Sequence, residues 1–292
     1  MVDVSVPVET TAAPASAASA ATTAPAPARA RFGAVVRSAF PPMVVFVAAI
    51  GIWYLYSYAI GETERNISLP YFHDVVDVAF LDGANRAELL DATWVSARVA
   101  LIGLIIAMAL GIVFAVLMSQ ASWIERSFYP YAVLMQTVPI LALVPLIGMR
   151  LGFGFNARVL VVVIISLFPI ITNTLFGLKS AQTGLHDLFT LHHVGRLTRL
   201  RKLMFPASLP AMFTGFQISA GLSVIGAIVG GFFFGRGDQD LGLRIKLYSS
   251  RVLPEQLIGA VVMSALLGIV AFWFFGWAKN RLTASWDETT AG

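Results

Sequence analysis

The stretch WVSARVALIGLIIAMALGIVFAVLMS, from Trp94 to Ser119, is almost wholly apolar, and Arg98 is its only charged residue. A helix rises 1.5 Å per residue, so about 20 apolar residues cross the roughly 30 Å hydrocarbon core of a bilayer. The whole chain shares this character, because 58% of its 292 residues are apolar and 12% are charged. Soluble domains carry about 25% charged residues. The sequence therefore predicts an integral membrane protein.

Five more segments are long and apolar enough to cross a bilayer. Nothing between them alternates in the manner of a barrel strand, so the expected fold class is all-α, an integral membrane helical bundle with about six transmembrane helices. The predicted spans are Pro42–Ile60, Trp94–Ser119, Tyr129–Met149, Val159–Leu178, Ala211–Phe234 and Leu257–Ala278.

The N-terminal residues 1–31 differ from the rest in being rich in Ala, Thr, Pro and Ser. They lack the apolar stretch of a signal peptide or a folded core. We expect a disordered cytoplasmic tail at 1–31 and one transmembrane domain at 32–292. The absence of cysteine excludes disulfides, thiolate metal sites and cysteine nucleophiles.

Lysine and arginine placement predicts the orientation of the helices. Short loops rich in these residues stay in the cytoplasm. Cations precede the first span, fill the loop after the fourth and follow the sixth, whereas acidic residues cluster between residues 61 and 91. Both termini are therefore predicted to be cytoplasmic. The net charge of +4 does not indicate nucleic-acid binding, because the cations sit at helix ends.

A short amphipathic helix is expected outside the membrane, within LPYFHDVVDVAFLDG at Leu69–Gly83. Its apolar side chains fall on one helical face after Pro70. We expect this helix to lie on the membrane surface, and a contact with an external partner stays open. The residues of that face are Phe72, Val75, Val76, Ala79 and Phe80.

No motif for catalysis or metal binding is found. The chain has no GxxxxGK[ST] phosphate-binding loop and no Ser-His-Asp arrangement. His192 and His193 are adjacent, so they point to different sides of a helix and do not form a ligand pair. The Gly-rich stretches Gly152–Arg158 and Gly235–Asp238 indicate turns at membrane boundaries. We therefore predict a chain without catalytic residues, metal or cofactor of its own.

Polar and small residues within the spans allow two interpretations. Gln136, Asn173, Gln217 and Ser223 either form hydrogen bonds between helices or line a polar pathway. No row of carboxylates crosses the membrane, which argues against a proton-coupled carrier. Arg98 lies near a span end, where it can reach the outer headgroups.

Proline and glycine positions suggest how the spans bend and pack. Pro139, Pro145 and Pro169 each remove a backbone hydrogen bond and are expected to bend their helices. Gly215 and Ser219 are four residues apart and permit close approach of a neighbouring helix.

The fourth and fifth spans are joined by QTGLHDLFTLHHVGRLTRLRKLMFPASLP, from Gln182 to Pro210. This basic, amphipathic loop is far longer than a helix hairpin needs. Leu185, Leu188, Phe189 and His192 share one helical face that fits an apolar groove. The loop is predicted to dock onto a soluble partner.

Several passages resemble a known family. They are QTVPILALVPLIGMRLGFG, LFPIITNTLFGLKSA, LRKLMFPASLPAMFTGFQISAGLSVIGAIVGGFFFG and DLGLRI. From Thr93 to about Ile269 the chain resembles permease subunits of bacterial ABC importers of the methionine-importer-like type. It most resembles the nitrate/sulfonate/taurine branch, which includes importers of thiamine precursors and riboflavin. The resemblance implies a type I ABC importer permease fold in the bacterial cytoplasmic membrane.

The family carries a cytoplasmic coupling helix with an EAA motif, a glycine and a later proline pair. Counted back from Pro206 and Pro210, Asp187 falls at the glutamate, and Leu188 and Phe189 replace the alanines. His193 falls on the glycine. The resemblance thus assigns ATPase docking to a coupling loop at about 180–209, with Asp187, Leu188, Phe189, His192, His193 and Arg196 as its candidate residues.

The resemblance also implies partners and a mechanism. These partners are a cytoplasmic ABC ATPase dimer that holds ATP and Mg, a second permease copy or a paralogous permease, and an extracytoplasmic substrate-binding protein. ATP-driven closure of the ATPases would move the coupling helices and open the pathway outward. Sulfonates, nitrate, a thiamine pyrimidine precursor and riboflavin stay open as substrates. A secondary transporter, which would show inverted repeats and midplane charges, and a non-transport membrane scaffold are the alternatives.

Overall fold

The computed structural model describes residues 28–65, 67–234 and 238–287. Most of the predicted tail and most of the predicted Gly235–Asp238 turn lie outside these residues. The chain divides into two units at the bond between Ile52 and Trp53. Helix α1 runs from Ala28 to Ala59, and its stretch Phe40–Ala59 is long and apolar enough to cross a membrane, as the first predicted span requires.

The described part of the second unit is helical throughout its regular elements. Two short helices follow α1, and Asp82 then begins the long helix α4 by accepting a 2.8 Å hydrogen bond from the Asn85 amide. The helices are α2 Gly61–Arg65, α3 Phe72–Val75 with a π-helical continuation Val76–Leu81, α4 Gly83–Gln120, α5 Ser122–Thr137, α6 Ile140–Leu151, α7 Phe155–Lys179, α8 Thr183–Leu191, α9 Arg196–Arg199 with a π-helical continuation Leu200–Met204, α10 Phe205–Phe234, α11 Leu241–Arg251 and α12 Pro254–Asp287.

The third predicted span, Tyr129–Met149, is not one continuous helix. The chain bends by 95° between α5 and α6. Pro139 has no amide hydrogen to donate, and Val138 before it takes an extended conformation, so the helix stops there and restarts at Ile140. Pro145 and Pro169 lie inside α6 and α7 without a comparable break.

The bent pair nevertheless runs from one end of the bundle to the other. Near its start, Glu125 pairs with Lys179, the last residue of α7. Near its end, Phe153 follows α6 and packs edge-on against Phe234, the last residue of α10, with ring centroids 5.9 Å apart. With α1, α4, α7, α10 and α12, the described residues therefore contain six candidate spans.

Helix α7 forms the centre of the bundle and packs against α4 and α10. Small residues let the helices approach closely, since Gly103 and Gly111 of α4 face Val162 and Ile170. Between α7 and α10, Ser219 donates a 2.8 Å hydrogen bond to the Ser166 carbonyl. The predicted close approach at Gly215 and Ser219 is confirmed. Hydrogen bonds of this kind between membrane helices contribute about 0.6 kcal/mol on average.

The helix expected after Pro70 is present, but its apolar face is buried in the bundle instead of facing lipid. Val75 and Ala79 are 2% and 0% exposed. Ala79 packs on Gly259 of α12 and lies in one cluster with Leu89 of α4. Trp53 holds the preceding turn by donating a 2.9 Å hydrogen bond to the Pro70 carbonyl.

The close α7–α10 contact predicts different effects on stability for alanine substitutions at two glycines of α10. A Cβ at Gly215 would lie 2.9 Å from the Pro169 carbonyl, whereas one at Gly221 would meet nothing within 4 Å. We expect Gly215→Ala to destabilise the protein by about 1–3 kcal/mol through overpacking. Gly221→Ala should be neutral or stabilising by up to about 1 kcal/mol, because alanine favours helix. Thermal unfolding in detergent measures both, and equal midpoints would contradict the packing.

Candidate functional site

Helix α8, the nine-residue core of the Gln182–Pro210 loop, stands out from the bundle. None of its described residues is buried. Leu185, Leu188 and Leu191 are 42%, 46% and 77% exposed, and α8 lies outside the candidate spans, where hydrocarbon would cover such side chains. An exposed apolar side on α8 is consistent with the prediction that this loop binds another protein.

The predicted docking residues lie together on α8 and the turn that follows it. Asp187 and Leu188 are exposed in the middle of α8, and Phe189 is half-buried beside them. His192 and His193 form the turn, and Arg196 begins α9; all three are exposed. The structure therefore places the candidates on one continuous surface formed by α8, the turn after it and the start of α9.

The turn after α8 has the geometry of a Schellman motif. The Val194 amide donates to the Phe189 carbonyl at 3.0 Å, and the His193 amide donates to the Thr190 carbonyl at 3.0 Å. His193 has φ of 51°, in the left-handed region that favours glycine. The comparison with the family's coupling motif had placed His193 at the glycine of that motif.

This backbone geometry predicts the effect of restoring glycine. The left-handed conformation of His193 costs the wild type about 1 kcal/mol, and glycine removes that strain. His193→Gly should therefore leave docking intact or strengthen it. His193→Val should weaken docking, since a β-branched residue resists positive φ. ATPase retention during detergent purification compares the variants, and a loss with glycine equal to that with valine would show that the imidazole itself is required.

The loop is anchored at its far end. Arg199 donates a 2.8 Å hydrogen bond to the Thr190 hydroxyl and so joins α9 to α8. Leu200 and Met204 then pack against a buried cluster shared by α4 and α7, which includes Met118 and Leu178. The loop is therefore in contact with these two membrane helices and continues into α10, which begins at Phe205.

Two of the four pathway candidates line one cavity at the α5–α6 bend. This elbow cavity measures about 630 Å³ and is walled by α5, α6, α7 and α10. Gln136 and Asn173 line it, joined by Thr137 and Thr172. Among the described lining residues none is charged. The remaining walls are apolar and include Phe168, Ile218, Leu222 and Ile225.

The other two candidates lie elsewhere. Gln217 is half-buried and faces α12, where a Cβ at Gly276 would lie 2.8 Å from its Nε2. Ser223 is 2% exposed and donates to the Ala220 carbonyl of its own helix at 2.8 Å. The structure thus brings Gln136 and Asn173 to one cavity, where Asn173 also donates a 2.8 Å hydrogen bond to the Pro169 carbonyl of its own helix, and it places Gln217 and Ser223 outside that cavity.

A buried ion pair at the opposite end from α8 was missed by the sequence analysis. Arg158 and Asp240 are each 1% exposed in their side chains, and their Nη1 and Oδ2 atoms are 2.6 Å apart. Asp240 also caps α11 by accepting from the Leu243 amide at 2.8 Å. The available signal was an arginine in the first turn of an apolar span together with the acid that begins DLGLRI.

Neighbouring glycines leave space for the Arg158–Asp240 pair, and a hydrogen bond next to it ties α11 to α4. Gly230 packs on Arg158, and Gly231 leaves room for the Asp240 carboxylate. The Leu241 amide donates to the Ser96 hydroxyl of α4 at 3.0 Å. Burial raises the pKa of Asp240 above its ordinary value, while the attraction of Arg158 opposes that shift. The pair and its neighbours therefore join α4, α7, α10 and α11 at one point.

Two further arginines at this end form ion pairs nearer the surface. Arg98, expected to reach the outer headgroups, lies 3.9 Å from Asp238, and both side chains are about half exposed. Arg244 of α11 pairs with Glu88 of α4. Carboxylates thus lie beside these two arginines, whereas Lys246 and Arg251 of α11 are exposed.

Comparisons with known proteins agree with this architecture. The formylaminopyrimidine transport permease of Halalkalibacterium halodurans is 31% identical over 242 residues, covering 80% of this chain and 91% of that protein. The riboflavin transport system permease of Chloroflexus aurantiacus is 28% identical over 167 residues, covering 57% and 61%. An inward-facing structure of the methionine ABC transporter MetNI superposes with a TM-score of 0.60 at 14% identity, covering 69% of this chain and 99% of the matched one.

The match to MetNI shows that the fold is that of a type I importer permease, as expected. The family model described as "Binding-protein-dependent transport system inner membrane component" matches residues 107–284, from the middle of α4 into α12. The chain therefore belongs to this family of inner-membrane proteins and is the permease subunit of a binding-protein-dependent ABC importer.

Proposed function

We propose that α8 is the element through which a cytoplasmic ABC ATPase dimer drives this permease. The observation that carries the proposal is an exposed amphipathic helix, closed by a Schellman turn, between the two most tightly packed spans. ATP and Mg belong to the ATPase. A second permease copy, or a paralogous permease, and an extracytoplasmic binding protein complete the importer. Membership of the family removes the secondary-transporter and scaffold alternatives.

The charge distribution supports an orientation with α8 and both termini in the cytoplasm. Arg126, Arg196, Arg201 and Lys202 are exposed at the α8 end. At the opposite end Arg98, Arg158 and Arg244 each face a carboxylate. An excess of uncompensated cations on one side marks the cytoplasmic face.

The packing supports a mechanism in which the inner spans move together. Helix α8 is tied to α9, and the segment after α9 is seated between α4 and α7. Movement of α8 toward its counterpart in a second copy would therefore tilt α7 and α10 as one body. The bend at Val138–Pro139 then forms the deformable wall of the elbow cavity. ATP and loaded binding protein act by favouring the outward state over the inward one.

For the solute, the elbow cavity favours an uncharged polar heterocycle over a small anion. Its described lining offers amides, hydroxyls and an aromatic ring, without a cation. An anion removed from water without a compensating charge is strongly disfavoured. A volume of about 630 Å³ is of the size that ligand sites commonly have. The relatives named for a formylaminopyrimidine and for riboflavin agree with this class.

This assignment predicts different outcomes for two glutamines. Gln136→Leu should lower uptake about tenfold, which corresponds to about 1.4 kcal/mol, because it removes a polar group from the cavity wall. Gln217→Leu should retain most uptake, since that side chain faces α12. Uptake by reconstituted importer measures both. Equal losses would show that the elbow cavity is not the selective part of the route.

The docking proposal is tested by purifying the tagged chain in detergent and identifying accompanying proteins by mass spectrometry. A P-loop ATPase should accompany the native chain and be lost when residues 182–204 are scrambled. A monodisperse elution profile of the scrambled chain serves as the control for folding. A native chain that emerges alone, or a scrambled one that keeps the ATPase, would overturn the assignment of α8.

A further inference from the structure

Two adjoining cavities form a lateral groove between α4, α5 and α7. They measure about 370 and 230 Å³ and share Phe114, Met118 and Phe128. The larger one is bounded by Tyr131 and Ala132 of α5 and reaches Leu167 of α7. We call the two together the lateral groove. Its described lining is almost purely apolar, so it suits a hydrocarbon chain and offers nothing to a polar solute.

The lateral groove occupies one half of the membrane. Trp123 and Ile124 line its narrow end, beside Glu125, which pairs with Lys179 at the end of α7. Leu167 lies twelve residues before Lys179, or about 18 Å along the helix. Half of the hydrocarbon core is about 15 Å thick. The groove therefore extends from the membrane boundary at the α8 end to about the bilayer centre, which is the depth of one lipid leaflet.

The boundary at the narrow end has the features of a headgroup site. Trp123 is 68% exposed there, and tryptophan is enriched at membrane interfaces. Arg126, Arg201 and Lys202 are exposed at the same end, where anionic headgroups gain about 1 kcal/mol from each nearby cation. The floor of the groove, Met118 and Leu167, belongs to the cluster that also seats Leu200 and Met204 of the coupling loop.

We propose that the lateral groove binds one acyl chain of an anionic phospholipid of the leaflet next to α8. The cations at the narrow end favour a negatively charged headgroup, and the apolar wall orders the chain. The leaflet is the inner one if the orientation proposed above holds, so this single point rests on the proposed function. A lipid held here lies directly beside the anchor of the coupling loop.

The test uses the full chain reconstituted in vesicles that contain phosphatidylglycerol with a diazirine on one acyl chain. Trypsin cleavage after Arg126 and Arg150 releases Ser127–Arg150, which contains the α5 wall. We expect labelling of this peptide at Phe128, Tyr131 or Met135. Ala132→Phe fills the groove and should reduce that labelling about fivefold or more. Leu134→Phe is the matched control, because Leu134 is 55% exposed and lies outside the groove lining.

Further labelling experiments distinguish an anionic lipid of the leaflet next to α8 from a neutral lipid, from the other leaflet and from a second copy of the chain. Phosphatidylcholine carrying the same diazirine chain should label the peptide several-fold less; equal labelling overturns the anionic lipid. In right-side-out membrane vesicles prepared from cells, label supplied only in the outer leaflet should not react, and if it alone reacts, the orientation fails while the groove stands. Crosslinks from the groove to a second copy, or unchanged labelling in Ala132→Phe, overturn the proposal. Leu117→Trp, at a 49% exposed position of α4 that lines the groove but lies outside the labelled peptide, narrows the groove without removing a labelled residue and should also lower labelling.

Discussion

Replacing Asp240 by alanine is expected to destabilise the protein by about 3–5 kcal/mol, because it removes the carboxylate that neutralises the buried Arg158 guanidinium. The cost is large because a buried charge is hard to satisfy by other means. The same substitution removes the N-cap of α11, which alone contributes about 1 kcal/mol. Thermal unfolding in detergent and the yield of monodisperse protein measure the loss.

Two controls separate the buried pair from charge in general. Asp238→Ala removes a carboxylate only two residues away, but its partner Arg98 is 3.9 Å distant and half exposed, so the change should stay within about 1 kcal/mol. The double variant Arg158→Met with Asp240→Leu should recover much of the lost stability, because apolar pairs replace buried ion pairs well. A single Asp240→Ala variant as stable as the wild type would contradict the geometry.

The spans could be predicted from the sequence because the bilayer imposes length and composition on each helix separately. Hydropathy therefore located α1, α4, α7, α10 and α12 without tertiary information. The break at Pro139 was visible as a bend, but its size of 95° depends on how α6 packs afterwards. The amphipathic helix after Pro70 was found by its pattern, while the surface that covers it depends on Gly259, far along the chain.

The functional residues were harder to assign, because their roles depend on contacts between distant parts of the chain. Arg158 and Asp240 are 82 positions apart, and each taken alone resembles a residue at a membrane boundary. Gln136 and Gln217 carry the same side chain in the third and fifth spans, yet only Gln136 lines the elbow cavity. Polarity identifies such residues, whereas the direction in which each faces is fixed by helix rotation. The left-handed turn at His193 was indicated only by its place on the glycine of the family's motif, because histidine itself carries no strong preference for positive φ.

A charge reversal at Asp187 is expected to abolish coupling while leaving membrane insertion intact. Asp187 is exposed on α8 and makes no contribution to the buried clusters, so the bundle should fold normally. At a protein interface, reversal of a paired charge costs about 2–5 kcal/mol, or about 30-fold or more in affinity. Asp187→Arg should therefore lose the ATPase on purification and show no stimulation of ATP hydrolysis by loaded binding protein.

Matched variants show whether the effect belongs to α8 itself. Ser122→Arg adds a positive charge to an exposed position on the same membrane side but at the start of α5, and it should preserve stimulated hydrolysis. Leu188→Asp, which places a charge on the exposed apolar side of α8, should fail as Asp187→Arg does, because the groove that receives this side must be apolar. Normal stimulation in Asp187→Arg together with loss in Leu188→Asp would mean that α8 docks through its leucines alone. In that case the acidic position of the coupling motif has no electrostatic role in this chain, and specificity for the ATPase rests on the shape of the apolar face.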